Sequence, residues 1–102
     1  MKALLTFTTA LAWAMTANLA QARDLGPDEA LRLRDTGVIQ SFEKLNAVAL
    51  AAHPGSSITD TELESEYGKY VYQVELRDTK GIEWDLELDA VTGQIYKNHQ
   101  DN

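Results

Sequence analysis

The stretch YVYQVELRDTKGIEWDLELD, residues 70–89, decides the fold of this chain. Apolar and polar residues alternate on both sides of a short polar segment, as in two strands with one buried and one solvent-exposed face. The segment Thr79-Lys80-Gly81 fits a three-residue hairpin loop with Gly81 in the left-handed conformation, which pairs Asp78 with Ile82. The pairs that follow along the hairpin are Leu76 with Trp84, Val74 with Leu86, and Tyr72 with Leu88.

A weaker strand pattern precedes this hairpin at about 58–67, where Leu63 and Tyr67 face one way and four acidic residues face the other. The dipeptide Gly68-Lys69 fits a two-residue turn, which would pair Tyr67 with Tyr70 and Leu63 with Val74. Three strands at about 58–67, 70–77 and 82–89 are therefore predicted to form an antiparallel β-meander.

Two helices are predicted before the strands. Pro27 suits the first helical position and acidic residues follow it, so a helix is expected over about 27–35. A second helix is expected over about 38–53, because apolar residues recur there at helical spacing until Pro54-Gly55. The expected fold is α+β, with two N-terminal helices followed by a three-stranded antiparallel β-meander. One sheet face packs on the second helix and the other is solvent-exposed and acidic. The predicted core centres on Phe42, Leu45, Tyr72, Trp84 and Leu86.

Residues 1–22 have the pattern of a cleavable secretory signal peptide. Lys2 precedes an apolar stretch, and Ala20-Gln21-Ala22 places small residues before a cleavage site after Ala22. The apolar stretch is shorter than the roughly 20 residues that a membrane span needs. We therefore expect residues 23–102 to be a single periplasmic or secreted domain with no stable membrane span, ending in a frayed polar tail from Lys97. Its oligomeric state is left open.

The charge of this domain limits its partners. The chain has 9 Lys and Arg against 16 Asp and Glu, and loss of Lys2 with the signal peptide makes the net charge −8. Such a domain repels nucleic acid and anionic membranes, but it suits a basic protein surface or a divalent cation. The chain has no cysteine, which excludes a lipid anchor, disulfides and thiolate metal ligands.

No catalytic or cofactor site is visible in the sequence. The serines lie in no recognisable nucleophile motif. His53 and His99 are too isolated to form a typical zinc site. We therefore predict a protein that is not an enzyme and binds no cofactor.

The acidic residues concentrate on the solvent-exposed face of the predicted sheet. Twelve positions face solvent there; nine are acidic and one is arginine. Three interpretations stay open: a solvated face that maintains solubility, a docking face for a basic partner, or a Ca²⁺ or Mg²⁺ site. The predicted registers place Glu62, Glu75 and Asp85 in one row without a cation, which is the candidate metal row; no further metal site is predicted. The candidate binding residues are Glu62, Glu64, Glu75, Asp85 and Glu87.

The two strands are followed by Asp89-Ala90-Val91-Thr92-Gly93-Gln94-Ile95, and together they resemble a PepSY domain, whose strands end in a D-A-x-T-G-x-[IV] element. Pro54-Gly55 after the second helix and the upstream segment RDTGVI, residues 34–39, fit the same resemblance, which covers about 24–97. We expect a structural role for the turn formed by Asp89, Thr92 and Gly93. Asp89 can accept hydrogen bonds from backbone donors near Thr92, and Gly93 can take a positive φ that returns Ile95 to the core.

The resemblance implies an inhibitory or regulatory binding module without catalytic residues. We therefore expect an exported, non-enzymatic protein that modulates a secreted or envelope peptidase, or a signalling receptor, by contact with a basic patch. The alternative is a periplasmic protein that responds to divalent cations through weak Ca²⁺ binding.

Overall fold

Two helices and one five-stranded antiparallel sheet make up residues 22–101, the part of the chain that the computed structural model describes. The strands lie in the order β1-β2-β3-β4-β5. The predicted signal peptide lies outside the described residues except for Ala22, which begins β1. The elements are β1 (Ala22–Asp24), α1 (Pro27–Asp35), α2 (Phe42–Ala52), β2 (Ser57–Glu66), β3 (Lys69–Arg77), β4 (Glu83–Asp89) and β5 (Ile95–Asp101).

The expectation of two N-terminal helices followed by a three-stranded meander is wrong, because β1 precedes the helices and β5 follows the meander. Both extra strands lie at sheet edges, where backbone hydrogen bonds to one neighbour suffice to hold a strand. Their side chains are mostly exposed, so neither shows the apolar alternation that marks a strand in sequence. Ile95, expected in the core, begins β5 and is 36% exposed. The tail from Lys97 is paired with β4 instead of frayed.

The β3–β4 hairpin has the predicted register, which confirms the pairs Leu76 with Trp84, Val74 with Leu86 and Tyr72 with Leu88. The Asp78 carboxylate holds its loop, because Oδ1 accepts the backbone N–H groups of Lys80 (2.8 Å) and Ile82 (2.9 Å). Asp78 Oδ2 accepts the indole N–H of Trp84 at 3.0 Å. These bonds, the indole bond first, lower the pKa of Asp78.

The β2–β3 register differs from the prediction by two residues. Glu66 pairs with Lys69, so the turn residues are Tyr67 and Gly68, and Leu63 lies opposite Tyr72 rather than Val74. Both turn residues have positive φ, 48° and 82°, as in a type I′ hairpin turn, whose twist matches that of the strands. The observed register also places the carboxylate of Glu66 across from the ammonium group of Lys69, next to the turn. Because side chains alternate with period two, the shift changes the cross-strand pairs but leaves the side chains of residues 60–66 on their predicted faces. Tyr67, expected to face the same way as Leu63, lies in the turn instead and is exposed.

Helix α2 begins four residues later than predicted. Ser41 caps it, since its side chain accepts the backbone N–H of Lys44 at 3.2 Å. Before Ser41, the Gln40 N–H donates to the Ala90 carbonyl at 2.9 Å and thereby connects the start of the helix to the end of β4.

The core lies between α2 and one face of the sheet. Leu45, Leu86 and Tyr72 are buried as predicted, at 0%, 1% and 4% exposure. Phe42 and Trp84 are partly buried against this cluster. Phe42 stacks on Tyr72 with ring centroids 5.7 Å apart. The core therefore occupies one sheet face and leaves the opposite face to the charged residues.

Neither helix within residues 22–101 has the length and apolar character that crossing a membrane requires.

The substitution Asp78→Ala is expected to lower the free energy of unfolding, because it leaves the partly buried N–H groups of Ile82 and the Trp84 indole without their acceptor. Urea denaturation measures the loss. Lys80→Ala in the same loop is the control and should change stability by less than about 0.5 kcal/mol. Equal stability of the two variants would contradict the anchoring role of Asp78.

Candidate functional site

The five acidic residues predicted as a binding face all lie on the sheet face opposite α2. Their strand neighbours, including Leu63, Val74 and Leu86, are buried in the core, and side chains alternate between faces along a strand. The structure places Glu62 and Glu64 on β2, Glu75 on β3, and Asp85 and Glu87 on β4.

The uninterrupted acidic row is not the predicted one. Glu62 lies opposite Gln73, so it does not share a row with Glu75 and Asp85. Asp60 takes that place and lies opposite Glu75, and His99 of β5 closes the row beside Asp85. Loss of solvation raises the pKa of Glu75, and repulsion from Asp85 and Asp60 raises it further. Asp60, Glu75 and Asp85 are named the acidic row below.

The neighbouring row is partly compensated. It runs Glu62–Gln73–Glu87–Lys97 across the strands β2 to β5. Lys97 Nζ lies 4.0 Å from Glu87 Oε2. The acidic row and this row together line a shallow depression in the face. Lys97 was missed as a site residue because β5 was not predicted, so its position opposite Glu87 could not be foreseen.

A second concentration of carboxylates lies where β1 joins β2. Asp24 pairs with Glu64, and carboxylate oxygens of Asp24, Glu62 and Glu64 lie within 4.8 Å of one another. Gln73 donates its side-chain amide to Glu64 Oε1 at 3.1 Å. A side-chain hydrogen bond to Glu66, followed by burial and a hydrogen bond to Asp24, raises the pKa of Glu64 to about 8. Asp24, Glu62 and Glu64 are named the edge carboxylates below.

The edge carboxylates carry less charge at neutral pH than three ionised carboxylates would. Because Glu64 retains its proton, it acts as a hydrogen-bond donor within the edge carboxylates and reduces their charge. Each of the edge carboxylates brings one oxygen to within 4.8 Å of the others, whereas Ca²⁺ takes six to eight oxygen ligands. Asp24 was missed in the sequence because three residues of β1 give no periodic signal.

The turn after β4 is built around Asp89. Its Oδ1 accepts the backbone N–H groups of Val91 (2.8 Å) and Thr92 (3.2 Å), and its Oδ2 accepts the Tyr96 hydroxyl at 2.6 Å. The Tyr96 bond is the main reason that the pKa of Asp89 is lowered. Gly93 has φ 83° and donates its N–H to the Asp89 carbonyl at 2.7 Å. The Asp89 carboxylate is therefore fully occupied by hydrogen bonds to the backbone of the turn and to Tyr96 of β5. This turn holds β5 at the edge of the sheet.

Comparison with known proteins gives one family match. Residues 39–98 match the PepSY family, described as the peptidase propeptide and YPEB domain. This range contains α2, β2, β3 and β4 and most of the acidic face.

The chain is also similar to a curated protein, the uncharacterized protein YkoJ of Bacillus subtilis (strain 168). The two are 30% identical over 60 residues, which cover 59% of this chain and 35% of YkoJ. The chain therefore spans about a third of the length of this relative. No solved structure gives a significant match.

The raised pKa of Glu64 sets the sign of a pH dependence. Folding raises this pKa from 4.5 to about 8, so the folded state holds a proton that the unfolded state releases between these values. The stability from this proton is complete below pH 4.5 and is lost as the pH rises through 8. Glu64→Gln should remove this loss and stabilise the protein at pH 8.5 by about 1 kcal/mol or less.

Chemical denaturation at pH 5, 7 and 8.5 tests this expectation. Glu43→Gln on α2 removes the same charge away from the sheet and serves as control. A difference between wild type and Glu64→Gln that does not change with pH would contradict the raised pKa of Glu64.

Proposed function

Because the chain belongs to the PepSY family, we propose that it is an exported, non-enzymatic regulatory module that docks through its acidic sheet face onto a basic surface of another protein. The candidate targets are a secreted or envelope peptidase and a signalling receptor. The family description, peptidase propeptide, supports a role related to peptidases. The signal-peptide pattern of residues 1–22 supports export and therefore partners outside the cytoplasm.

The observation that carries the proposal is the acidic row. Asp60, Glu75 and Asp85 lie opposite one another on three adjacent strands with no lysine or arginine between them. Like charges that lie directly opposite on a sheet destabilise it. A partner with lysines or arginines would relieve this repulsion. The repulsion that lowers the stability of the free protein would then contribute favourably to the free energy of binding. Electrostatic complementarity of this kind gives specificity and a fast association rate.

The acidic row gives the first test of docking. The triple variant Asp60→Asn, Glu75→Gln, Asp85→Asn should lose capture of its partner from an envelope extract by at least about tenfold, as expected when several complementary charges are removed. Capture by the wild type should weaken at high salt, because salt screens exposed charges. Affinity capture at 50 mM and 500 mM salt, about a threefold change in screening length, followed by mass spectrometry makes this measurement.

A charge-matched triple variant on the helices, Asp28→Asn, Asp35→Asn, Glu43→Gln, is the control and should capture normally. Neutralising the acidic row removes repulsion, so this variant should be at least as stable as the wild type, and lost capture cannot then be attributed to unfolding. Equal, salt-insensitive capture by both triple variants would refute docking through the acidic row.

Calcium binding is the second candidate function, and the edge carboxylates are the observation that favours it. A bound cation would displace the proton of Glu64, so binding should strengthen above pH 8. The edge carboxylates lie on exposed strands, and within residues 22–101 no loop wraps a cation there to complete the six to eight oxygens that Ca²⁺ takes. Calcium binding is therefore the second candidate.

The cation proposal predicts that 5 mM Ca²⁺, at about five times the roughly millimolar dissociation constant of weak extracellular sites, raises the melting temperature at pH 8.5. The double variant Asp24→Asn, Glu62→Gln should lose this shift, whereas Asp28→Asn, Glu43→Gln should keep it. Calorimetry with no heat of binding and no melting shift would remove calcium binding from consideration.

A further inference from the structure

Strand β2 is only partly covered at its outer edge. Strand β1 pairs with Glu64–Glu66 alone, and the Leu25 N–H donates to the Leu63 carbonyl at 2.8 Å. Beyond Leu25 the chain turns away into α1. Within the described residues no strand therefore lies beside residues 57–62 on that side of β2.

The backbone at this open edge is directed outward at Thr61. In an antiparallel sheet, alternate residues point both their N–H and their C=O toward the same neighbour. The Leu63 carbonyl points toward β1, so Thr61, two residues earlier, presents both groups to the open side. A bulge between Ile58 and Asp60 interrupts the edge. The pairing surface is therefore short and suits a segment of about five residues, the usual length of a short strand.

An apolar groove runs beside the open edge. On one side is β2, and on the other are the starts of the two helices. The Tyr72 hydroxyl donates to Asn46 Oδ1 at 2.7 Å, which satisfies the polar end of Tyr72 in the groove. Side chains on the inner face of an added strand would enter this groove. Its apolar lining consists of Leu25, Pro27, Ala30, Phe42, Leu63 and Tyr72.

Charge at the groove defines the other side chains of such a strand. Asp24 and Glu62 line the groove, and no lysine or arginine does so within the described residues. Asp60 and Glu64 lie on the same sheet face of β2, on either side of Glu62. A second copy of this chain is a poor occupant, because its acidic face would extend the first one. The edge complements basic residues on the solvent-exposed side of an added strand.

We infer that the open edge of β2 binds an extended partner segment in which apolar and basic residues alternate, by addition of a sixth strand to the sheet. Main-chain hydrogen bonds to Thr61 provide the register, and the groove and the carboxylates select the side chains. This inference rests on the proposed function and names the part of the partner that docks.

The test uses the full chain and the peptide acetyl-Val-Lys-Val-Lys-Val-amide as the probe. Binding should protect the Thr61 amide from hydrogen exchange by about tenfold or more, as a new main-chain hydrogen bond requires. A peptide N-methylated at the residues that face β2 keeps every side chain and charge but cannot pair. It should bind at least about tenfold more weakly, from the loss of two hydrogen bonds.

Two further comparisons address the side chains. The scrambled peptide acetyl-Val-Val-Lys-Lys-Val-amide has the same charge and should bind less tightly, because it places a lysine in the groove. Glu62→Gln should weaken binding of the alternating peptide, whereas Asp35→Asn, which removes one carboxylate at the end of α1 outside the groove, should not.

Equal binding of the methylated and unmethylated peptides would overturn edge pairing. If that equal binding is salt-sensitive and is lost in the acidic-row variant, the proposed docking face stands while the edge inference falls. A Thr61 amide that becomes protected with rising protein concentration alone, and that the peptide does not affect, would show that a second copy occupies the edge and would also overturn the inference. If the peptide pairs with β2 but the wild type captures no partner from the envelope extract, docking through the acidic row is refuted and the edge inference stands.

Discussion

The carboxylate of Asp78 is the constraint on which the rest of the sheet depends. It binds two backbone N–H groups of its own loop and the indole of Trp84, and this arrangement exists in one register of β3 against β4. A slip by one residue would move every apolar side chain of β4 to the solvent-exposed face. With this register set, the leucines of the hairpin meet α2, and the carboxylates of the same strands must all face solvent.

The acidic face is therefore the counterpart of the core. Some outward carboxylates lie opposite a cation, as Glu83 opposite Arg77 and Glu87 opposite Lys97. In the part of the chain that the structure describes, the edge carboxylates and the acidic row have no such cation opposite them, and they differ in how their repulsion is relieved. At the edge, Glu64 takes up a proton, which turns repulsion with Asp24 and Glu66 into hydrogen bonding. In the acidic row there is no such relief: loss of solvation, and then repulsion from Asp85 and Asp60, raise the pKa of Glu75. A face with an internal electrostatic cost is one that a basic partner can stabilise.

The two edges of the sheet differ from each other in how they are held. Strand β5 is joined to the end of α2, because His53 Nε2 lies 2.7 Å from Asn98 Oδ1. It is also joined to the end of β4, because the Tyr96 hydroxyl donates to Asp89. Strand β1 covers only three residues of β2 and leaves a bulged edge beside an apolar groove. The sheet thus has one edge strand fixed by side-chain contacts and one edge that is partly open.

Alternation and turn chemistry in the sequence determined which residues are strands in the central hairpin, which face each side chain takes and which family the chain resembles. These features depend on neighbours a few residues apart, such as Asp78 and Gly81. The partners across β2 and the existence of β1 and β5 were decided only by the tertiary structure. A two-residue shift keeps the strand residues on the same faces, so the sequence pattern is the same in both registers. The pattern therefore could not show that Asp60, and not Glu62, lies opposite Glu75. Edge strands are held by backbone hydrogen bonds, which carry no side-chain signature, so Asp24 and Lys97 entered the site only once the fold was known.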